Sequence, residues 1–288
     1  MKPNPKSLYG LKWNPFSPEV PTEACRRTPR VESFCARVET LSREGGFALV
    51  TGEPGTGKSV ALRLLVERLA GLRDVTVGIL TRPQCSVADL YRELGEVFGV
   101  PLSPHNRWAG AKVLRERWQA HIETSLARAV LVIDEAQEMH PGPLSELRLL
   151  CSSRLDSRSL LTVVLSGDGR LAETLRLPDV LPIASRMRVR VDMEPMSSEE
   201  LVETLRHGLA AAGNASLMTL ELMNALADHA AGNLRALMTM GAELLDVATQ
   251  KQAPRLDEKL FFEVYGTPRA EAPPPQPPRR KPPRGGAR

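Results

Sequence analysis

The stretch Gly52-Glu53-Pro54-Gly55-Thr56-Gly57-Lys58-Ser59 constrains this chain more than any other. It has the spacing G-x-x-x-x-G-K-[ST], and each residue type answers a physical need. Glycines let the backbone curl around phosphate oxygens with its N–H groups pointing inward. A helix that starts at the loop aims its positive end at the anion. In such a loop the lysine, here Lys58, reaches the β- and γ-phosphates, and the hydroxyl, here Ser59, ligates Mg²⁺. The motif requires a strand before it and a helix after it. Phe47-Ala48-Leu49-Val50-Thr51 reads as a buried strand, and residues 60–72 carry Leu62, Leu65, Val66 and Leu69 at helical spacing. The ligand implied is ATP with Mg²⁺.

A second constellation fits the first. Ala129-Val130-Leu131-Val132-Ile133 is an apolar run ending in Asp134 and Glu135. A carboxylate at the tip of a buried strand can hold Mg²⁺ through water, the role expected of Asp134. The adjacent Glu135 can polarise an attacking water as general base. A kinase with the same loop needs no such base, since its substrate is the nucleophile, so Glu135 points to hydrolysis.

Around these motifs, strand and helix signals alternate. Strands are predicted over residues 75–80, 130–133 and 161–165, with Val189 and Val191 in a last short one. Helices are predicted from Ser86, where Asp89 completes a capping pattern, over 112–126 and over 144–155. Strands separated by helices imply a parallel sheet with helices on both faces. After Met193 only helices follow: from the capping run Ser197-Ser198-Glu199-Glu200 to about 212, then 219–230, 233–250 and 257–265. The expected fold class is α/β, a P-loop parallel sheet flanked by helices with a smaller all-helical lid domain behind it. Expected divisions are an N-terminal arm over 1–30, an ATPase domain over 31–194, a lid over 195–266 and a tail over 267–288. Leu8, Tyr9, Leu11, Trp13 and Phe16 form an apolar cluster in the arm, which should pack onto the body.

Charge needs dissecting. The chain carries a net +4 with a pI near 9.0. From Pro268 to Arg288, six basic residues against Glu271 supply +5, which leaves the rest near −1. That segment also holds eight prolines, and such a composition cannot bury a core, so it is predicted to be disordered. It could add DNA affinity, dock a partner through its prolines, or merely solubilise. Cys25, Cys35, Cys85 and Cys151 form no close pair and have no His at ligand spacing, so they read as thiols of a reducing compartment. With no apolar run of about 18 residues and no signal peptide, a cytoplasmic protein without membrane attachment is expected.

A family resemblance rests on further residues. Ile133-Asp134-Glu135-Ala136-Gln137, then Leu144-Ser145-Glu146-Leu147-Arg148-Leu149-Leu150, resembles the AAA+ ATPases of the ExeA/GspA and TniB/TnsC group. Tyr9-Gly10-Leu11-Lys12-Trp13-Asn14-Pro15-Phe16 and the run from Glu194 to Leu201 are similar to that group's signatures, so the likeness spans residues 8 to about 250. It implies that Arg186 is an arginine finger reaching the γ-phosphate of a neighbouring subunit, with Arg188 and Arg190 close by. It also implies that Arg235, in Gly232-Asn233-Leu234-Arg235, is an arginine on the helical lid over the same phosphate. Where the group often has Gly-Gln-Pro-Glu-Leu after the fourth strand, this chain has Ser166-Gly167-Asp168-Gly169-Arg170-Leu171, so Ser166 and Asp168 both remain open as the sensing group. Asn14 and Phe16 lie either near the adenine or in an arm packed on the body.

The resemblance implies a ring or helical filament of identical subunits. Secretion-type members carry a membrane anchor and a cell-wall-binding domain. With neither in view, the expected role is that of the transposition helpers, which assemble on double-stranded DNA and recruit a transposase or integrase. Candidate DNA contacts are Arg82, Lys112, Arg115 and Arg117. The alternative is an ATPase of the secretion type, or a regulator that remodels a protein partner without DNA.

Overall fold

In a computed structural model of the chain, residues 4–100, 107–125, 127–153 and 158–266 are described. The basic proline-rich tail and the first three residues of the arm lie outside them.

The chain opens with a short helix α1 (Pro5–Tyr9), a 3-10 turn (Thr22–Ala24) and α2 (Pro29–Glu44). The α/β portion follows: β1 (Gly46–Gly52), α3 (Lys58–Ala70), β2 (Val75–Leu80), α4 (Val87–Val97), α5 (Arg107–Ser125), β3 (Arg128–Ile133), a 3-10 turn (Ala136–Glu138) and α6 (Pro141–Cys151). A two-residue hairpin, β4 (Ser152–Ser153) and β5 (Arg158–Ser159), leads to β6 (Leu161–Gly167), α7 (Gly169–Thr174), α8 (Leu181–Ala184) and β7 (Met187–Met193). The C-terminal helices are α9 (Ser198–Ala211), α10 (Leu220–Ala230), α11 (Leu234–Lys251) and α12 (Glu258–Tyr265).

Five strands form one parallel sheet in the order β2-β3-β6-β1-β7. Its central strands β1, β3 and β6 are apolar on both faces, where helices cover both, whereas the edge strand β7 alternates apolar with charged residues. Side chains alternate across the pleat. Phe47, Leu49, Leu131, Ile133, Val163 and Leu165 enter one core with α4, α5 and α6. Ala48, Val50, Val130, Val132 and Val164 enter the other with α2 and α3. A third core belongs to the C-terminal helices.

Two features depart from the sequence reading. Helix α2 was not anticipated, although its signals are present. Thr28 caps it by accepting from the Val31 N–H at 3.4 Å, Pro29 opens it, and Val31, Phe34, Cys35, Val38 and Leu41 are buried at helical spacing. The helix predicted over 144–155 instead starts at Pro141 and ends at Cys151, where the chain turns extended into the hairpin.

The apolar cluster of the arm packs with the C-terminal helices. Tyr9, Leu11 and Phe16 share their core. Tyr9 donates its hydroxyl to the Ala253 carbonyl at 3.0 Å, and Lys12 N–H donates to the Ala212 carbonyl at 2.9 Å. Phe16 lies so close to α11 that a Cβ on Gly241 would stand 2.5 Å from its ring. Phe16 is therefore a core residue, and Asn14 caps the turn beside it by accepting from Phe16 N–H at 2.9 Å.

Candidate functional site

Three strand tips meet at the carboxyl edge of the sheet, where open α/β sheets bind ligands. β6 lies between β1 and β3, with Val50 opposite Ser166 and Ile133 opposite Leu165. The phosphate loop leaves β1, Ser166 sits near the end of β6, and Asp134 follows β3.

The loop takes the conformation its glycines permit. Gly55 and Gly57 have φ of 90° and 96°, in the left-handed range open to glycine. Thr56 folds back, its hydroxyl donating to the Glu53 carbonyl at 2.9 Å. Helix α3 begins at Lys58 directly after Gly57, so the unpaired N–H groups of its first turn face the loop. Lys58 is buried, and its ammonium donates to the Gly52 and Glu53 carbonyls at 2.8 and 3.0 Å.

Asp134 organises the opposite wall. It accepts from the Ser59 hydroxyl at 2.8 Å on one oxygen. Its other oxygen accepts from the Ser166 hydroxyl at 2.8 Å and from Glu135 N–H at 3.0 Å. Ser59 and Asp134, 75 positions apart, thus bring a hydroxyl and a carboxylate oxygen together, the hard oxygen donors that suit Mg²⁺. Glu135 adopts φ 52°, ψ 39°, which turns its side chain away from the line of β3. Gln137 donates to that carboxylate, and its amide oxygen accepts from Asp168 N–H at 3.3 Å.

Of the two candidate sensing groups, the structure joins Ser166 to Asp134. Asp168 instead caps α7 by accepting from Arg170 N–H at 2.9 Å and pairs with the Arg170 guanidinium, which holds its carboxyl below the usual carboxylate range.

The C-terminal helices reach the loop through Asn233, which sequence reasoning passed over. Its side-chain oxygen caps α11 by accepting from Ala236 N–H at 3.0 Å, while its amide donates to the Pro54 carbonyl at 3.1 Å. Arg235 N–H lies 3.3 Å from the Gly55 carbonyl, which places Arg235 on the first turn of α11, exposed at the loop. A Cβ on Gly55 would stand 2.2 Å from the Asn233 side chain, so glycine is needed there for contact as well as for φ.

Arg186 is not at this edge. It precedes β7, where Met187 pairs with Phe47, whereas Gly52 pairs with Met193. Five residues of β1 separate those levels, about 17 Å at roughly 3.3 Å per residue. Arg186 therefore lies at the opposite edge of the sheet from its own phosphate loop. Arg188 pairs with Glu44 at 2.5 Å, and Arg190 donates to the Ala184 carbonyl at 2.9 Å. On α5, Lys112 and Arg117 are exposed and Arg115 is half-buried. At about 3.6 residues per turn they do not share one stripe. Arg82 is exposed after β2.

Residues 41–175 match the profile of the AAA domain family. Over those residues the chain is similar to AAA domains. The chain is 34% identical to General secretion pathway protein A of Aeromonas hydrophila over 210 residues, 72% of this chain and 38% of that protein. The chain thus spans well under half the length of that relative. Solved structures with the same AAA+ fold include Cdc6p of Pyrobaculum aerophilum, at TM-score 0.69 and 18% identity over 84% of this chain and 67% of that one. The ORC2 protein of Aeropyrum pernix, solved with ADPNP and ADP, superimposes at TM-score 0.71 and 15% identity, covering 89% and 72%. The ORC1 protein of the same organism, solved with DNA, gives 0.65 and 18%, covering 88% and 68%. No helix among the described residues is long and apolar enough to cross a membrane.

Proposed function

We propose that this chain is an ATP-hydrolysing switch of like subunits that assembles on double-stranded DNA and regulates or recruits a transposase or integrase. The observation that carries the ATPase reading is the 2.8 Å approach of Ser59 to Asp134 beside the glycine loop and the buried Lys58. In this reading Gly52, Glu53, Pro54, Gly55, Thr56 and Gly57 wrap the phosphates of ATP with backbone N–H groups. Lys58 exchanges its two carbonyl partners for phosphate oxygens. Ser59 and Asp134 hold Mg²⁺, which when bound offsets charge on the phosphates. Glu135, once released by Gln137, takes the proton of the attacking water. Ser166 is the better-placed sensing group, because its hydroxyl already bonds to Asp134.

The two arginines divide the work by position. Arg235, at the loop on the first turn of α11, serves its own subunit. Arg186, at the far edge of the sheet, serves the next one, which makes the assembly a ring or helical filament stabilised by ATP and loosened by hydrolysis. The arm (1–30), ATPase domain (31–194), lid (195–266) and tail (267–288) are the corresponding divisions. The lid-to-loop contacts of Asn233 and Arg235 let nucleotide state move the C-terminal helices.

The DNA part draws support from likeness of fold to ORC1 solved with DNA and from the group signatures in the sequence. The Aeromonas relative favours a second reading, a secretion ATPase acting on protein partners in place of DNA. Duplex binding with ATP and Mg²⁺, titrated with salt, separates them. The DNA reading predicts affinity that falls linearly on a log–log plot, with a slope of about −0.9 for each phosphate neutralised. No ATP-dependent binding at low salt removes the DNA reading and leaves the second.

A further inference from the structure

At the amino edge of the sheet, opposite the phosphate loop, lies a cavity of about 260 Å³ between the starts of β1 and β7 and the end of α6. Arg148, Arg186 and Arg188 line it together with Ser152, Ser159 and Ser185, and no carboxylate does among the described residues. Cys151 also faces it, with a thiol that burial keeps protonated. The cations are not equivalent. Arg188 is exposed and already paired with Glu44. Arg186 is half-buried and reaches the Pro182 carbonyl at 3.4 Å. Arg148 comes from the last turns of α6, and its Nε is buried without a hydrogen-bond partner among the described residues. A buried guanidinium N–H left unpaired is rare in native proteins and calls for an acceptor. Cations and hydroxyl donors around a space this small suit an anion such as a phosphate group, not a whole nucleotide, since pockets for drug-sized ligands run to about 300–1,000 Å³.

We infer that this cavity receives the terminal phosphates of the nucleotide held by an adjacent copy of the chain, with Arg148 as a second phosphate-contacting arginine beside Arg186. The inference rests on the reading of Arg186 as acting across a subunit boundary. It goes further in assigning the unpartnered Arg148 to the same phosphates. A planar guanidinium matches phosphate oxygens two at a time, which an ammonium cannot do. No step of the reaction changes: Arg148 adds donors to oxygens that gain charge as the γ-phosphoryl group leaves.

Mixed assemblies test this. Arg148→Gln keeps a polar head, removes the charge and leaves the variant's own phosphate site intact. Alone it is expected to bind ATP as wild type does and to turn over about 100-fold more slowly, the loss typical of removing one donor to a transition-state anion. Glu135→Gln is the complementary variant, with an inactive site and an intact cavity. Mixing the two restores turnover, because each boundary that joins the site of the first to the cavity of the second is complete. Arg186→Ala mixed with Glu135→Gln is the parallel arm. Restoration for Arg186 but not for Arg148 overturns the inference and leaves Arg148 serving its own subunit. Restoration for neither removes the trans reading of Arg186 as well. Arg148→Lys, which preserves charge and length, carries the same mixing test should the Gln variant not fold. Full turnover of Arg148→Lys alone would count against a forked contact.

Discussion

Asn233 makes two separable hydrogen bonds, one within the C-terminal helices and one to the phosphate loop, and substitution can take them apart. Its oxygen caps α11, accepting from Ala236 N–H at 3.0 Å, and its amide donates to the Pro54 carbonyl at 3.1 Å. Losing an N-cap costs about 1 kcal/mol. Losing a neutral hydrogen bond at a partly exposed site costs about 0.5–1 kcal/mol. Asn233→Ala removes both, for roughly 1.5–2 kcal/mol. Asn233→Asp keeps the cap, and its negative charge suits a helix N-terminus, so it loses only the bond to Pro54, about 0.5–1 kcal/mol. Urea denaturation without nucleotide should therefore rank wild type, then Asp, then Ala. ATP affinity should rank differently. Both variants lose the side-chain tie between α11 and the loop and keep only the backbone contact of Arg235 N–H with Gly55, and the carboxylate of Asn233→Asp also stands beside the incoming phosphates, so Asp should bind ATP more weakly than Ala. Isothermal titration with ATP and Mg²⁺ reads that order. If both variants lose equal stability, the cap is not what Asn233 supplies. If both bind ATP like wild type, the contact with Pro54 does not couple the helices to the loop.

Other consequences follow from the same geometry. Glu135→Gln should retain ATP binding and lose about 10²–10⁴ in turnover, read by phosphate release, whereas loss of binding would give Glu135 a structural role. Gly241→Val drives a side chain into the ring of Phe16, where a Cβ alone would stand at 2.5 Å, and should cost about 1–3 kcal/mol in thermal or urea unfolding. All four cysteines are buried, and burial pushes the Cys35 and Cys85 thiols up to about 11. The native chain should therefore resist a thiol reagent at pH 8 and react only on unfolding. Since these folded-state values lie above the unfolded one, the folded state holds the extra protons. Stability is whole below about pH 8.5 and falls as pH rises toward 11. Rapid labelling of native Cys35 would contradict its burial.

Much of the α/β portion was legible because buried parallel strands read as unbroken apolar runs, and Phe47–Thr51 and Val130–Ile133 do so. The loop from Gly52 to Ser59 was legible because its chemistry depends on neighbours in sequence: glycines that must curl, a lysine and a hydroxyl at the helix start. Asp134 and Glu135 were legible for the same reason, at the tip of an apolar run. Helix α2 went unread although Thr28, Pro29 and the spacing of Val31, Phe34, Cys35 and Val38 signal it. Other choices are long-range and leave no local pattern. Strand order places β6 between β1 and β3, and the register that sets Ile133 opposite Leu165 brings Ser166 and not Asp168 to Asp134. Docking of α11 on the loop brings Asn233 to Pro54 across 179 positions. Pairing of β7 with β1 carries Arg186 to the far edge of the sheet and sets it beside Arg148. Local chemistry repeats along a chain and can be read there, whereas contacts between distant segments exist only once packing has chosen which faces meet.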